Sequence, residues 1–227
     1  MPLDFSADRI VPLETRILRQ AQNLADEFAG IFNFETIHRY IRESADSLQN
    51  VRIPDYVHIF AGRLARDRLN ALARTQGDLK EDSLLILYLC NHNAGRSQMA
   101  AAFTAYLGQD RVRVMSAGST PAREVNTVAV QAMEELEIDM SGEFPKPVTD
   151  EVVQAADVII TMGCGEACPV YPGKRYLDWD VADPAGQPLG VVHAIRDDIR
   201  RRVEDLLTEL GVLEASIGGD SPGNARL

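Results

Sequence analysis

An unbroken apolar run followed at once by a short polar loop is the feature that most restricts how this chain can fold. Residues 84–89 read LLILYL, residues 90–97 read CNHNAGRS, and a helical pattern begins at Ser97. A run that is apolar at every position predicts a strand buried on both faces of a parallel sheet. Further along, VRVMSAG and DVIITM also read as strands, with helical patterns at residues 124–136 and 149–155 between them and at residues 195–210 after them. Strands that alternate with helices indicate an α/β fold with a doubly wound parallel sheet.

The first third of the chain has a different pattern. Apolar residues recur at helical spacing over residues 17–28, again after Asn33, and again after Pro54, which predicts three amphipathic helices packed as a small all-α bundle. We therefore divide the chain into a three-helix domain with its linker at residues 1–80 and an α/β domain at residues 81–215. The tail at residues 216–227 is rich in Gly, Pro and Ser, a composition that predicts disorder.

The charge of the chain excludes several classes of partner. The net charge is -11, and the first 80 residues hold 11 basic and 11 acidic side chains, so the α/β part carries the whole excess. This excess argues against binding to nucleic acid or to an anionic membrane. No stretch reaches the roughly 18 apolar residues that a membrane span needs, and the N-terminus does not read as a signal peptide. We expect a cytoplasmic protein.

Three cysteines are an odd number and too few for a disulfide scaffold. In the cytoplasm thiols are kept reduced, so cysteines that do pair there are more often catalytic or redox-active than structural. The cysteine count therefore directs attention to thiol chemistry.

The loop at residues 90–97 has the composition of an oxyanion site. At the carboxyl end of a parallel strand, its backbone N–H groups can converge on a tetrahedral oxyanion, and the next helix adds partial positive charge. Arg96 offers paired donors to two oxygens, and the same field favours the thiolate of Cys90 as a nucleophile. Ser97 can donate to that sulfur, although an ordinary buried cysteine at a strand end is the simpler alternative. The candidate oxyanion-binding residues are Asn91, His92, Asn93, Ala94, Gly95 and Arg96.

Two landmarks downstream agree with this interpretation: SAGSTPA at residues 116–122 and the pair Asp183-Pro184. With them, CNHNAGRS resembles the anion-binding loop of the low-molecular-weight protein tyrosine phosphatases, a fold shared by arsenate reductases of the thioredoxin-coupled type. The resemblance covers residues 83 to about 212. It implies that Cys90 is the nucleophile and that Asp183 protonates the leaving oxygen, whereas alone the Asp-Pro pair would read as a turn.

Cys164 and Cys168 favour a reductase over a phosphatase. A phosphatase of this fold needs one cysteine, because water hydrolyses its cysteinyl-phosphate. Reduction of As(V) to As(III) takes two electrons, which two thiols supply when they form one disulfide. The resemblance to the reductases implies a relay in which Cys90 attacks arsenate, Cys164 attacks Cys90, and Cys168 attacks Cys164. The resulting disulfide would be reduced by thioredoxin.

Two smaller features also favour the reductase, and several alternatives stay open. Gln98 stands where similar phosphatases usually carry proline, and Ala185-Gly186 stands where they typically carry aromatic residues. In contrast to the familiar three-cysteine enzymes, only three residues separate Cys164 from Cys168. The alternative functions are a low-molecular-weight tyrosine phosphatase and a non-catalytic oxyanion sensor. The alternative electron donor is a low-molecular-weight thiol with a glutaredoxin-like protein.

We expect no cofactor and no bound metal. Ala101 occupies the position of an acidic residue that helps to bind potassium in some relatives. A zinc site formed by the three cysteines and His92 would lack the tight CxxC spacing of such sites.

The three-helix domain suggests no chemistry of its own. Its net charge is zero, and it has no basic recognition helix, which argues against DNA binding. We expect this domain to form a homodimer contact.

Overall fold

The computed structural model describes residues 12–48, 56–78, 83–163 and 171–214. The first 80 residues contain three helices, which are α1 (Leu13–Glu27), α2 (Phe34–Ser47) and α3 (Val57–Gln76). The strands that follow are β1 (Leu84–Cys90), β2 (Val112–Gly118), β3 (Val158–Met162) and β4 (Arg175–Asp178). The remaining helices are α4 (Arg96–Gly108), α5 (Thr127–Glu134), α6 (Asp150–Ala155) and α7 (Leu189–Glu209). The predicted tail at residues 216–227 lies outside the described residues.

The four strands form one parallel sheet in the order β2-β1-β3-β4. Side chains alternate along the central strand β1: Ile86 and Tyr88 pack in a core with residues of α4, α5 and α7. Leu85 and Leu87 pack on the other face with residues of α6. Helices therefore cover both faces, which confirms the predicted α/β fold with its parallel sheet.

The ends of the first helices follow from local capping. Asn33 precedes α2, and its side-chain oxygen accepts a hydrogen bond from the N–H of Thr36 at 2.8 Å, as expected for an N-cap. Gly77 ends α3 in a left-handed conformation with φ 79°, which glycine adopts without steric cost. The three helices pack around a hydrophobic core that includes Leu24, Ile37 and Leu64. Three N-terminal helices were predicted, and the structure confirms them.

Three elements differ from the sequence prediction. Helix α5 begins at Thr127, three residues after the predicted start at Glu124. The short strand β4 was not predicted, because its four residues are exposed or half-buried and carry no apolar run. Helix α7 begins at Leu189, six residues before the predicted start, and its preceding Pro188 is compatible with a helix start. Among the described residues, no helix combines the length and apolar character needed to cross a membrane.

Helix α3 attaches the three-helix domain to the α/β part through ion pairs. Arg68 Nε lies 2.5 Å from a carboxylate oxygen of Glu151 at the start of α6, and Arg74 Nη2 lies 2.6 Å from Asp157 Oδ2. The same Asp157 oxygen accepts from the N–H of Leu85 at the start of the central strand. These contacts join α3 to the elements that form the sheet.

A cavity of about 420 Å³ lies beside α3, and Asp67 is one of its charged lining residues. Burial raises the pKa of the Asp67 carboxyl above its usual value near 3.8, and the nearby Lys146 and Arg63 offset this only in part. Because this pKa is raised on folding, the folded state is favoured most when Asp67 is protonated. That stability is fully present below about pH 3.8, the usual pKa of the carboxyl, and is lost as the pH rises through the folded-state pKa.

We therefore expect an Asp67→Asn variant to be more stable than the wild type at pH 7, by up to about 1 kcal/mol. The difference should vanish below about pH 4, where the aspartic acid of the wild type is protonated and is therefore as uncharged as the asparagine of the variant. Urea unfolding at the two pH values measures it. A variant that is less stable at pH 7 would show that the charge of Asp67 stabilises the fold.

Candidate active site

Cys90 ends the central strand, and Arg96 begins the helix that follows it. Cys90 is a free thiol and is buried. Its Sγ lies 3.0 Å from Ser97 Oγ and accepts a hydrogen bond from the N–H of Asn93 at 3.2 Å. The side-chain amide of Asn93 donates to Ser97 Oγ, which leaves the serine hydroxyl proton free to point to the sulfur. Two donors can therefore converge on the nucleophilic atom.

Asn93 holds the turn of the loop from inside. It is fully buried and adopts a left-handed conformation with φ 46°, a region that asparagine tolerates better than most residues. Its side-chain amide donates to Ser97 Oγ at 2.9 Å, and its Oδ1 accepts from the N–H of Lys146 at 2.8 Å. Asn93 thus fixes the serine that contacts the Cys90 sulfur.

The segment after β2 binds the carbonyl groups of the loop. The backbone N–H groups of Ser119, Thr120 and Ala122 donate to the carbonyls of Cys90, Asn91 and His92 at 3.2, 2.8 and 2.9 Å. Because those carbonyls are held from outside, the amide groups of the loop can face the pocket. The motif SAGSTPA therefore shapes the loop through hydrogen bonds from its backbone N–H groups and not through its side chains.

Beside the loop lies a pocket of about 200 Å³. Of the candidate oxyanion-binding residues, His92, Ala94, Gly95 and Arg96 line it, together with Cys90 and Asp183. The other two candidates, Asn91 and Asn93, are not among the residues that line this pocket, and Asn93 is fully buried. Six of the residues predicted from sequence are thus brought to one small cavity.

Arg96 and Asp183 form an ion pair at this pocket. Arg96 Nη2 lies 2.6 Å from Asp183 Oδ2, and the arginine side chain is 9% exposed against 47% for the aspartate. The other Asp183 oxygen accepts from the N–H of Ala185 at 2.9 Å. An oxyanion in the pocket would compete with Asp183 for the guanidinium, and the more exposed aspartate is the partner that can move.

Gly95, one of the candidate residues, and Asn126, which the sequence did not single out, bring the Asp183 segment against the loop. A side-chain carbon at Gly95 would lie 2.5 Å from Pro184 Cγ, so only glycine permits this approach. Asn126 donates its N–H to the carbonyl of Ala94 at 2.8 Å and its side-chain amide to the carbonyl of Pro184 at 3.2 Å. It also caps α5. An asparagine is a common residue just before a helix, so Asn126 could have been recognised as a cap. The predicted helix start at Glu124 placed Asn126 inside the helix instead.

Cys164 and Cys168 lie outside the described residues, so their predicted relay is addressed below as a proposal. The described chain reaches Gly163, and strand register pairs Cys90 with Met162. Within the described ranges, no three His, Cys, Asp or Glu side chains stand close enough to hold a metal ion.

Comparison with known proteins agrees with this geometry. Residues 85–214 match the family model for low molecular weight phosphotyrosine protein phosphatase, and residues 17–73 match that for the N-terminal domain of protein-tyrosine-phosphatase-like proteins. The structure is similar to that of a thioredoxin-dependent arsenate reductase from Corynebacterium glutamicum, with 40% identity, coverage of 87% of this chain and 98% of the other, and a TM-score of 0.79.

Two curated relatives match the α/β part. Arsenate reductase 1 of Bacillus cereus is 37% identical over 55% of this chain and 94% of its own length. The glutaredoxin arsenate reductase of Synechocystis is 34% identical over 55% of this chain and 97% of its own length. Since the matched family model spans more than half of the chain, this protein belongs to the low molecular weight phosphotyrosine protein phosphatase family.

Proposed function

We propose that this protein is an arsenate reductase that converts arsenate to arsenite with electrons from its own thiols. The observation that carries the proposal is the buried Cys90 thiol in a pocket that it shares with Arg96 and Asp183. An anion-binding loop, a nucleophile with two donors on its sulfur and a nearby carboxyl group are the parts that such a reaction uses. The arsenate reductases among its relatives support the choice of substrate.

In the first step we assign Cys90 as the nucleophile. Its thiolate attacks As(V) and forms an S–As bond, while one oxygen leaves as water with a proton from Asp183. Arg96 and the loop amides hold the remaining oxygens, which are negatively charged throughout. Ser97 stabilises the thiolate before the attack, because its Oγ lies 3.0 Å from the sulfur.

In the second step we assign Cys164 as the resolving thiol. Its thiolate attacks Cys90 Sγ, an S–S bond forms, and the S–As bond breaks with its electron pair going to arsenic, which leaves as arsenite. Met162 is the strand partner of Cys90, and Cys164 follows Met162 by two residues. Two residues of extended chain span at most about 7 Å between Cα atoms. Chain length therefore permits the attack.

In the third step Cys168 attacks Cys164 Sγ, which frees the Cys90 thiolate and leaves a Cys164–Cys168 disulfide. We propose that a thioredoxin dithiol then reduces this disulfide by exchange. Such chemistry needs a compartment in which thiols stay reduced, so we place the reaction in the cytoplasm.

The test uses purified protein with arsenate, thioredoxin, thioredoxin reductase and NADPH, and a parallel assay with p-nitrophenyl phosphate. Consumption of NADPH that depends on arsenate is the expected result. Release of phenolate without arsenate reduction would favour a phosphatase, and neither activity would favour an oxyanion sensor. The small residues Ala185 and Gly186 beyond Pro184 provide no ring for stacking on a phosphotyrosine, which is why we prefer the reductase.

A Cys168→Ser variant separates the two routes of electron supply. With thioredoxin as donor we expect one arsenite per protein and at least about a hundredfold loss of steady-state turnover, because the disulfide cannot move away from Cys90. A low-molecular-weight thiol with a glutaredoxin needs only Cys90. Full steady-state activity of the variant with thioredoxin would therefore contradict the relay.

For the three-helix domain we propose a homodimer contact. Leu13, Leu18, Phe34 and Ile59 expose large apolar side chains on these helices, which are costly to leave in water. Light scattering on the full chain should give twice the monomer mass, and a Leu18→Glu variant should shift it toward the monomer. A wild-type monomer would exclude the contact.

A further inference from the structure

Phe144 belongs to the α/β part but is buried in the core of the three-helix domain. It is 3% exposed, and its ring centroid lies 4.6 Å from that of Phe60 on α3. The guanidinium of Arg63, one turn along α3, lies 5.1 Å from the same ring. Arg63 also donates to the backbone carbonyl of Gly142. Helix α3 therefore contacts the segment at residues 142–144 through two residues one turn apart.

The backbone of Phe144 is bonded to the anion-binding loop through one side chain. Gln98 is 1% exposed, and its Nε2 lies 3.0 Å from the carbonyl oxygen of Phe144. The same Nε2 lies 3.1 Å from the carbonyl oxygen of Asn93 and 3.0 Å from Asn93 Oδ1. A buried amide costs free energy unless it is hydrogen-bonded, so Gln98 fixes the distance between Phe144 and Asn93.

Asn93 carries this connection to the reacting sulfur. Its side-chain amide donates to Ser97 Oγ at 2.9 Å, and that hydroxyl lies 3.0 Å from Cys90 Sγ. A second link runs parallel to the first, because the N–H of Lys146, two residues after Phe144, donates to Asn93 Oδ1 at 2.8 Å. A shift of the segment at residues 144–146 would therefore move Asn93 and weaken the hydrogen bonds to the Cys90 sulfur.

We propose that the three-helix domain sets the shape of the anion-binding loop, with Phe60, Phe144 and Gln98 as positioning residues. This inference adds a role for the helices to the proposed function on which it rests, and it assigns them no contact with substrate. Gln98 connects the anion-binding loop to the segment at Phe144 through its side-chain amide. A proline at this position has no side-chain donor and could not make this connection.

The test uses full-length protein with Cys164 and Cys168 replaced by Ser, so that Cys90 is the only thiol. The rate constant for alkylation of Cys90 by iodoacetamide reports the thiolate, and titration with inorganic phosphate reports the loop. Neither depends on arsenate reduction, so failure of the proposed function would not alter them. We expect Phe60→Leu to slow alkylation and weaken phosphate binding by about three- to tenfold, a range typical of coupled neighbours.

Phe28→Leu is the matched control, because Phe28 is buried in the same helical core and packs against Phe32. It should lower the melting temperature while leaving both loop measurements unchanged. Gln98→Met keeps the length of the side chain and removes its donor, so it should reproduce the effect of Phe60→Leu even if the latter folds poorly. In a double variant that carries Phe60→Leu and Gln98→Met, the fold-change in alkylation rate and in phosphate affinity should be smaller than the product of the two single fold-changes.

Three results would overturn the proposal. These are unchanged loop measurements in Phe60→Leu and Gln98→Met, equal effects of Phe28→Leu and Phe60→Leu on both measurements, or single effects that multiply fully in the double variant.

Discussion

A Cys90→Ser variant is expected to lose arsenate reduction by at least about 10⁴-fold, the scale of loss when an enzyme's nucleophile is removed. A serine hydroxyl stays protonated near neutral pH and cannot form the disulfide that supplies two electrons. The change should leave the pocket intact, because the serine oxygen can still accept from the N–H of Asn93 and face Ser97, as the sulfur does. The NADPH-coupled assay measures the loss.

The control for Cys90→Ser is phosphate binding together with the melting temperature. Both should stay close to the wild-type values, which would assign the loss to chemistry and not to unfolding. Turnover within tenfold of the wild type would contradict the role of Cys90 as nucleophile.

The second large effect is expected for Gly118→Ala. Gly118 ends β2, and a Cβ atom there would lie 2.7 Å from the carbonyl oxygen of Asn91 and 2.8 Å from the amide nitrogen of Asn93. Both contacts are with backbone atoms, which cannot rotate away as a flexible side chain can. The loop must therefore shift, and overpacking of this kind costs about 1–3 kcal/mol. We expect kcat/KM for arsenate to fall by about 10- to 100-fold, since the loop binds the anion.

Gly190→Ala provides the matched control for this prediction. Gly190 lies in the first turn of α7, and an added Cβ there would meet no atom within 4 Å apart from its chain neighbours and the backbone of its own helix. Its kcat/KM should stay within twofold of the wild-type value, as for most surface changes. If Gly118→Ala also stayed within twofold, the loop would not depend on its close contact with the end of β2.

Much of the site was predictable because its information is local in the sequence. The apolar run at residues 84–89, the loop and the helix that follows occupy consecutive positions, so Cys90, Arg96 and Ser97 could be placed relative to one another. The three N-terminal helices could likewise be predicted from the spacing of their apolar residues. Asp183 required the family resemblance, because its contact with Arg96 joins residues 87 positions apart.

What the sequence did not reveal depends on contacts between distant segments. Nothing around Phe144 indicates that its side chain belongs to the core of another domain. Asn126 contacts both Ala94 and Pro184, which lie on opposite sides of it in the chain. The strand β4 forms because its backbone pairs in parallel with β3, and its own sequence has no apolar run that would indicate a strand. In each case the determining interaction is tertiary, which local propensity does not encode.

The reductase account is tested most directly by counting thiols after a single turnover. The reduced protein is mixed with one equivalent of arsenate and no thioredoxin, arsenite is quantified, and the cysteine peptides are mapped by mass spectrometry. The account predicts one arsenite per protein, the loss of two of the three thiols, a disulfide between Cys164 and Cys168, and a free Cys90. Three free thiols with no arsenite formed would contradict it.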